Sequence, residues 1–129
     1  MSSIFTKIVN GEIPSYKVAE NDEFLAFLDI TPIRKGHVLV IPKHETDYIF
    51  DMSDESLGSI FVFAKEVASK IKAVFPCKKV GITVIGLEVP HAHIHLVPMN
   101  TLSDMNFARE KLKLSNEEFI EIAQNIKNA

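Results

Sequence analysis

The chain is 129 residues long and 47% hydrophobic, enough apolar material for one folded core and too much for a disordered chain. Fourteen Lys and Arg against 17 Asp and Glu leave a formal charge of −3, so no basic excess exists to hold a nucleic-acid backbone or an anionic membrane, and polymeric DNA or RNA is not expected as a partner. A single Cys, Cys77, permits no intramolecular disulfide and fits a reducing, cytoplasmic setting. The opening Met1-Ser2-Ser3-Ile4-Phe5 lacks both regions of a signal peptide, and no apolar run is long enough to span a bilayer.

No linker, repeat or low-complexity stretch interrupts the chain, which reads as one domain over residues 1–129. Ser2 to Val9 has Ile4, Phe5, Ile8 and Val9 at helical spacing before the Asn10-Gly11 stop, predicting a short N-terminal helical turn. Tyr16 to Glu20 and Glu23 to Leu28 read as two strands of a hairpin turning at Asn21-Asp22. Gly36 to Pro42 is a β-branched run ended by proline, a buried strand. The clearest helix runs from Asp54 to about Phe75. It is capped by Ser53 and stopped by Pro76, and Leu57, Ile60, Phe61, Ala64, Val67, Ala68, Ile71, Val74 and Phe75 form its apolar stripe. Lys79 to Ile85 and Pro90 to Met99 read as strands joined through Gly86, and Ser115 with Glu118 makes a capping box for a last helix from Asn116 to about Lys127. Antiparallel strands with segregated helices place the fold in the α+β class, with a sheet of about five strands.

Three of the five histidines fall within positions 91 to 95, alternating with Ala92, Ile94 and then Leu96. With a period of two, a strand sends His91, His93 and His95 to one face and the apolar residues into the core, with alternate side chains about 7 Å apart. Three explanations compete on residue types alone. The histidines are polar positions of an exposed strand; or H-x-H with a distant His37 or His44 binds zinc, although no nearby Cys completes a sulfur-containing site; or one imidazole attacks phosphorus while a second assists, with no metal or other cofactor.

The run His91-Ala92-His93-Ile94-His95-Leu96-Val97 resembles, position for position, the H-φ-H-φ-H-φ-φ motif of the histidine-triad (HIT) family, in which φ is apolar. The resemblance spans residues 3 to 99. Ser3 to Pro14 is similar to the family's opening segment, Phe24 to Pro32 to its ribose-binding strand and turn, and Gly36 to Lys43 to its next strand.

The resemblance implies a nucleotidyl hydrolase of the phosphoramidase-like branch, acting on purine nucleoside phosphoramidates or related monophosphate conjugates, with a dinucleoside polyphosphate hydrolase or a weakly active nucleotide-binding module as alternatives. By it, His93 is the nucleophile that forms a covalent nucleotidyl-histidine, His95 contacts the phosphate, and the His91 carbonyl fixes the His93 tautomer. It likewise places His37 near the phosphate, Asp29 on the ribose hydroxyls, and Ile4, Phe5, Ile8, Phe27 and Ile30 around the purine. It also implies a homodimer, with apolar residues of the long helix and the Lys79 to Ile85 strand as its interface. His44 has no counterpart and reads as a loop residue. One stretch departs from the pattern. Where many relatives carry an asparagine, a glutamine and a Ser or Thr before the triad, this chain has Val84-Ile85-Gly86-Leu87-Glu88-Val89-Pro90, so Glu88 either meets a cationic amine leaving group or points to solvent.

Overall fold

The structure, a computed structural model, describes residues 2–129; Met1, the first residue of the segment read for a leader, lies outside them. Three helices and five strands follow in the order α1 (Ile4–Val9), β1 (Lys17–Glu20), β2 (Phe24–Leu28), β3 (Val38–Pro42), α2 (Asp54–Val74), β4 (Lys79–Thr83), β5 (Ile94–Met99) and α3 (Asn116–Lys127), with short 3-10 turns at Ile49–Asp51 and Leu102–Met105. Every strand pair is antiparallel, and the sheet runs β1-β2-β3-β5-β4. The fold is therefore α+β with five strands, as the sequence predicts. No helix among the described residues is long and apolar enough to cross a membrane.

Local chemistry explains most of the boundaries. Ser3 caps α1 by accepting from the Thr6 amide, Ser53 caps α2 by accepting from the Ser56 amide, and Ser115 with Glu118 forms the reciprocal box that opens α3. Asn21 Oδ1 accepts from the amides of Glu23 and Phe24 and closes the first hairpin. Gly36, at φ +91°, turns the chain into β3 where a Cβ would lie 2.8 Å from the Phe75 ring, so the residue before His37 must be glycine on two counts.

The sheet is covered on both faces, which is why β2 and β3 are buried at every position. Phe24, Ala26, Leu28, Val38, Val40, Ile94 and Leu96 point to one face and pack with α2 and α3. Leu25, Phe27, Leu39 and Ile41 point to the other, where the six-residue α1 contributes Phe5 and Ile8 with Val9 partly buried beside them. A helix that short cannot roof a five-stranded sheet. The second face therefore keeps an open cleft beside β5, whose His95 pairs with Leu39 of β3 and Thr83 of β4.

The structure corrects three sequence expectations. On α2 it is Phe63 that is buried while Phe61 is 44% exposed, because Ile60, Phe63, Ala64, Val67 and Ile71 make the tighter three-and-four stripe against the sheet. Thr83, rather than Ile85, ends β4. The last strand begins at Ile94 instead of Pro90: the Ala92 amide donates to the Thr46 carbonyl and the His91 amide to the Val89 carbonyl, which takes 91 and 92 out of the ladder.

Candidate active site

The cleft on the α1 side has a volume of about 330 Å³. Phe5, Ile8 and Phe27 form its buried apolar floor, and Ile4 and Ile30, 50% and 68% exposed, stand at its rim. Ser15, Asp29, Thr31, Glu88, His93 and His95 supply the polar part of its wall. Most of the residues singled out in the sequence thus meet in one cavity, although they come from α1, β2, the turn after β2, and the approach to β5.

His91 is the exception. The expected face of three imidazoles resolves into two rings on the cleft and one in the interior, because the chain is not yet a strand at 91. His91 is fully buried: its Nε2–H donates to the Pro42 carbonyl at 2.8 Å, and its Nδ1 accepts from Ser3 Oγ at 2.8 Å. Ser3 in turn is tied through its amide to Glu45, which also accepts from Thr6 Oγ1. These two donors hold the Glu45 carboxyl down to about 2. His91 therefore staples the start of α1 to the end of β3.

The same accounting assigns every tautomer in the cluster. His93 Nδ1–H donates to the His91 carbonyl at 2.8 Å, so the free lone pair of His93 is on Nε2. The Ile33 amide donates to His37 Nδ1 at 3.2 Å, which puts the His37 proton on Nε2, from where it is donated to His95 Nδ1 at 2.9 Å. That leaves His95 with its proton on Nε2. One cleft imidazole is thus an acceptor and its neighbour a donor, with ring centroids 4.9 Å apart, nearer than regular strand spacing allows.

Burial keeps the supporting rings neutral. His95 is pushed down to about 4 by desolvation, with the His37 and His93 charges adding to the effect. His37 and His91 are lowered for the same first reason; Asp29 opposes the shift at His37, and the bond to the Pro42 carbonyl opposes it at His91. Phe5 packs edge-on to His93 at 5.0 Å, and Phe107 edge-on to His95 at 4.8 Å and His37 at 6.0 Å. Neither Phe107 nor the Ser3–Glu45–Thr6 cluster stands out in the sequence as part of the site. The Ser3 N-cap pattern hints at the second, whereas Phe107 carries no local signal.

Asp29 does two things at once. Its Oδ1 accepts from the amide and hydroxyl of Thr31 at 2.8 and 3.0 Å, closing the turn before Pro32, while Oδ2 lies 3.4 Å from His37 Nε2. Asp29, His37 and His95 together offer three ligand atoms within 4.8 Å, the spacing of a cation site. The donor set resists that use: with the Ile33 amide on Nδ1, the Nε2 of neutral His37 holds a proton rather than a lone pair. His44, the other histidine considered as a distant ligand, is exposed. Glu88 is exposed at the cleft mouth.

A family model described as the HIT domain matches residues 10–102. The adenosine 5'-monophosphoramidase hnt1 of Schizosaccharomyces pombe is 43% identical over 103 residues, covering 76% of this chain and 74% of the relative. An "Uncharacterized HIT-like protein" of Borreliella burgdorferi is 37% identical over 131 residues, covering 95% and 94%. Among solved structures, a Hit-like protein from Bartonella henselae superposes with a TM-score of 0.84 at 29% identity, covering 98% of this chain and 95% of its own. Together with the His91 to Val97 motif, these matches place the chain in the histidine-triad (HIT) family.

Proposed function

We propose that the protein is a nucleotidyl hydrolase that cleaves purine nucleoside phosphoramidates and related monophosphate conjugates at the α-phosphate. The observation that carries this reading is the tautomer pair in the cleft: an unprotonated Nε2 on His93 beside a protonated Nε2 on His95. An imidazole lone pair held in place by a backbone carbonyl is a nucleophile for phosphorus, and an adjacent N–H donor serves the leaving group. Membership of the HIT family and the named activity of the S. pombe relative support the same reaction class.

The purine lies on Phe5, Ile8 and Phe27 between the rim residues Ile4 and Ile30, and the ribose hydroxyls donate to Asp29 Oδ2. The Nε2–H of His95 donates to the substrate beside the P–N bond, while its Nδ1, which accepts from His37, keeps that proton on the cleft side. As the His93 Nε2–P bond forms, the P–N bond to the amine breaks, its electron pair stays on nitrogen, and the amine leaves with a proton drawn from solvent. Water then attacks phosphorus and breaks the P–Nε2 bond, the electron pair returning to Nε2 and the water's proton leaving to solvent, giving the nucleoside monophosphate. His37 positions His95 through the 2.9 Å bond, and no step is assigned to a metal.

Incubation with adenosine phosphoramidate and with a diadenosine polyphosphate tests the reading. Turnover of the first that depends on His93 is the expected result; turnover of the polyphosphate alone would favour the alternative hydrolase, and micromolar nucleotide binding without any turnover would favour a binding module. For the ribose contact, Asp29→Asn keeps an acceptor for Thr31 but removes the charge from Oδ2, and KM is expected to rise about tenfold. The same variant should show no such rise on a substrate lacking both ribose hydroxyls.

A homodimer belongs to this proposal. Strand β4 is a sheet edge, so one side of its backbone is free to pair, and Phe61, Ile82, Ile85 and Leu87 stand exposed around it. An apolar patch continuous with an open edge suits a second copy of itself across a two-fold axis. Sedimentation of the wild type is expected to give a dimer, and Phe61→Asp combined with Ile85→Asp a folded monomer. A monomeric wild type would remove this part of the reading.

A further inference from the structure

We propose that Glu88 makes the site selective for nucleoside phosphoramidates whose leaving amine carries a second, positively charged group. This deepens the phosphoramidase reading and rests on it. The cleft that holds His93 and His95 is lined by two carboxylates, Asp29 and Glu88, and by no Lys or Arg among the described residues. Burial holds His95, and His37 behind it, neutral, so neither supplies compensating charge. Lys111, whose charge reaches His37, does not line the cleft; its ammonium donates to the carbonyls of Phe107 and Arg109 and lies 5.9 Å from the Phe107 ring.

The two carboxylates are not equivalent. Asp29 is engaged on Oδ1 by Thr31 and held by that turn, with Oδ2 3.4 Å from His37 Nε2. Glu88 makes no hydrogen bond or ion pair among the described residues, yet its backbone is well placed: Val89 packs on the Phe5–Leu39 cluster, and its carbonyl accepts from the His91 amide at 2.8 Å. An unpartnered carboxylate on an anchored loop at the mouth of a nucleotide cleft repels a substrate that brings further phosphates. It attracts one that brings a cation. The chemistry favoured is thus one anionic phosphate joined through nitrogen to a cationic amine, and a polyphosphate chain is disfavoured.

The test compares kcat/KM for two adenosine phosphoramidates, one of propylamine and one of diaminopropane, whose distal amine is charged. Wild type is expected to prefer the diaminopropane conjugate by roughly fivefold, the upper range of an exposed ion pair. The preference should shrink as salt is raised. Glu88→Gln should bring the ratio close to one, and Glu88→Lys should invert it. If both conjugates are hydrolysed and neither substitution changes the ratio, the role of Glu88 is overturned while the phosphoramidase reading stands. If wild type hydrolyses neither, the reading itself fails and the proposal with it.

Discussion

His93→Ala is expected to lower turnover of adenosine phosphoramidate by at least about a thousandfold, because it removes the only bond-forming group and not merely an assisting one. The His91 carbonyl commits the Nδ1 proton of His93, so the lone pair of the neutral ring is on Nε2, on the cleft side. His95, the neighbouring imidazole, cannot substitute: its Nδ1 is occupied by His37 and its Nε2 carries the proton. Rapid acid quench of the wild type during turnover should isolate a nucleotidyl group bound to the protein, and the variant should yield none. Nucleoside monophosphate should still bind the variant within a few-fold of wild type, since the purine floor and Asp29 are untouched. The Phe5 ring loses an edge contact in the variant, so its thermal unfolding must be measured alongside to show that the protein is folded. Equal rates in the two proteins would end the covalent mechanism.

A steep loss of stability between pH 6.5 and 4.5 is the second large effect expected. His37, His91 and His95 all have pKa values lowered by folding, His95 to about 4 from an ordinary 6.5. Above 6.5 both folded and unfolded chains hold these rings neutral, and the stability is fully present. As the pH falls below 6.5 the unfolded chain binds protons that the folded chain refuses, so unfolding becomes easier. At one pH unit per 1.36 kcal/mol, His95 alone accounts for a loss of about 3 kcal/mol by pH 4, and His37 and His91 add in the same direction. Set against a total of about 5–15 kcal/mol for a domain, that is a large share. Urea unfolding at pH 7 and pH 5 should show a lower midpoint at pH 5, and His95→Gln should flatten the difference. A midpoint independent of pH over this window would contradict the neutral, dry state of these rings. The carboxyls lowered by hydrogen bonding, Glu45 and Asp104 among them, act in the same direction at lower pH, from the ordinary carboxylate range downward.

Much of the fold is legible in the sequence because it is written in local chemistry. Ser53 and Ser115 mark helix starts by their side-chain oxygens and Asn21 marks a hairpin, each through contacts to residues two or three positions away, whereas Gly36, read as the start of a strand, is a turn and the strand begins at Val38. The alternation of histidine with Ala92, Ile94 and Leu96 likewise places those three in the core. What it does not show is that the ladder begins only at Ile94. That depends on where the Ala92 amide finds its acceptor, Thr46, nearly fifty residues away in the chain, and it is the reason His91 turns inward to Ser3 and Pro42 while His93 and His95 face the cleft.

The division between sequence and tertiary structure follows the range of the forces involved. Residue types and their spacing determined the α+β class, the helix and strand sequence and the histidine cluster, because capping, turn chemistry and hydrophobic periodicity act within a few residues. Tertiary structure decided the chemistry of each imidazole. Proton positions on His37, His91, His93 and His95 are set by Ile33, Pro42, Ser3 and one another across the fold, and their low pKa values by the water that burial and the Phe107 ring exclude. Desolvation and hydrogen-bond complementarity belong to the packed chain. Five histidines that are equivalent in composition thereby become one cleft acceptor, one cleft donor, a buried support at 37, a structural staple at 91, and an exposed residue at 44.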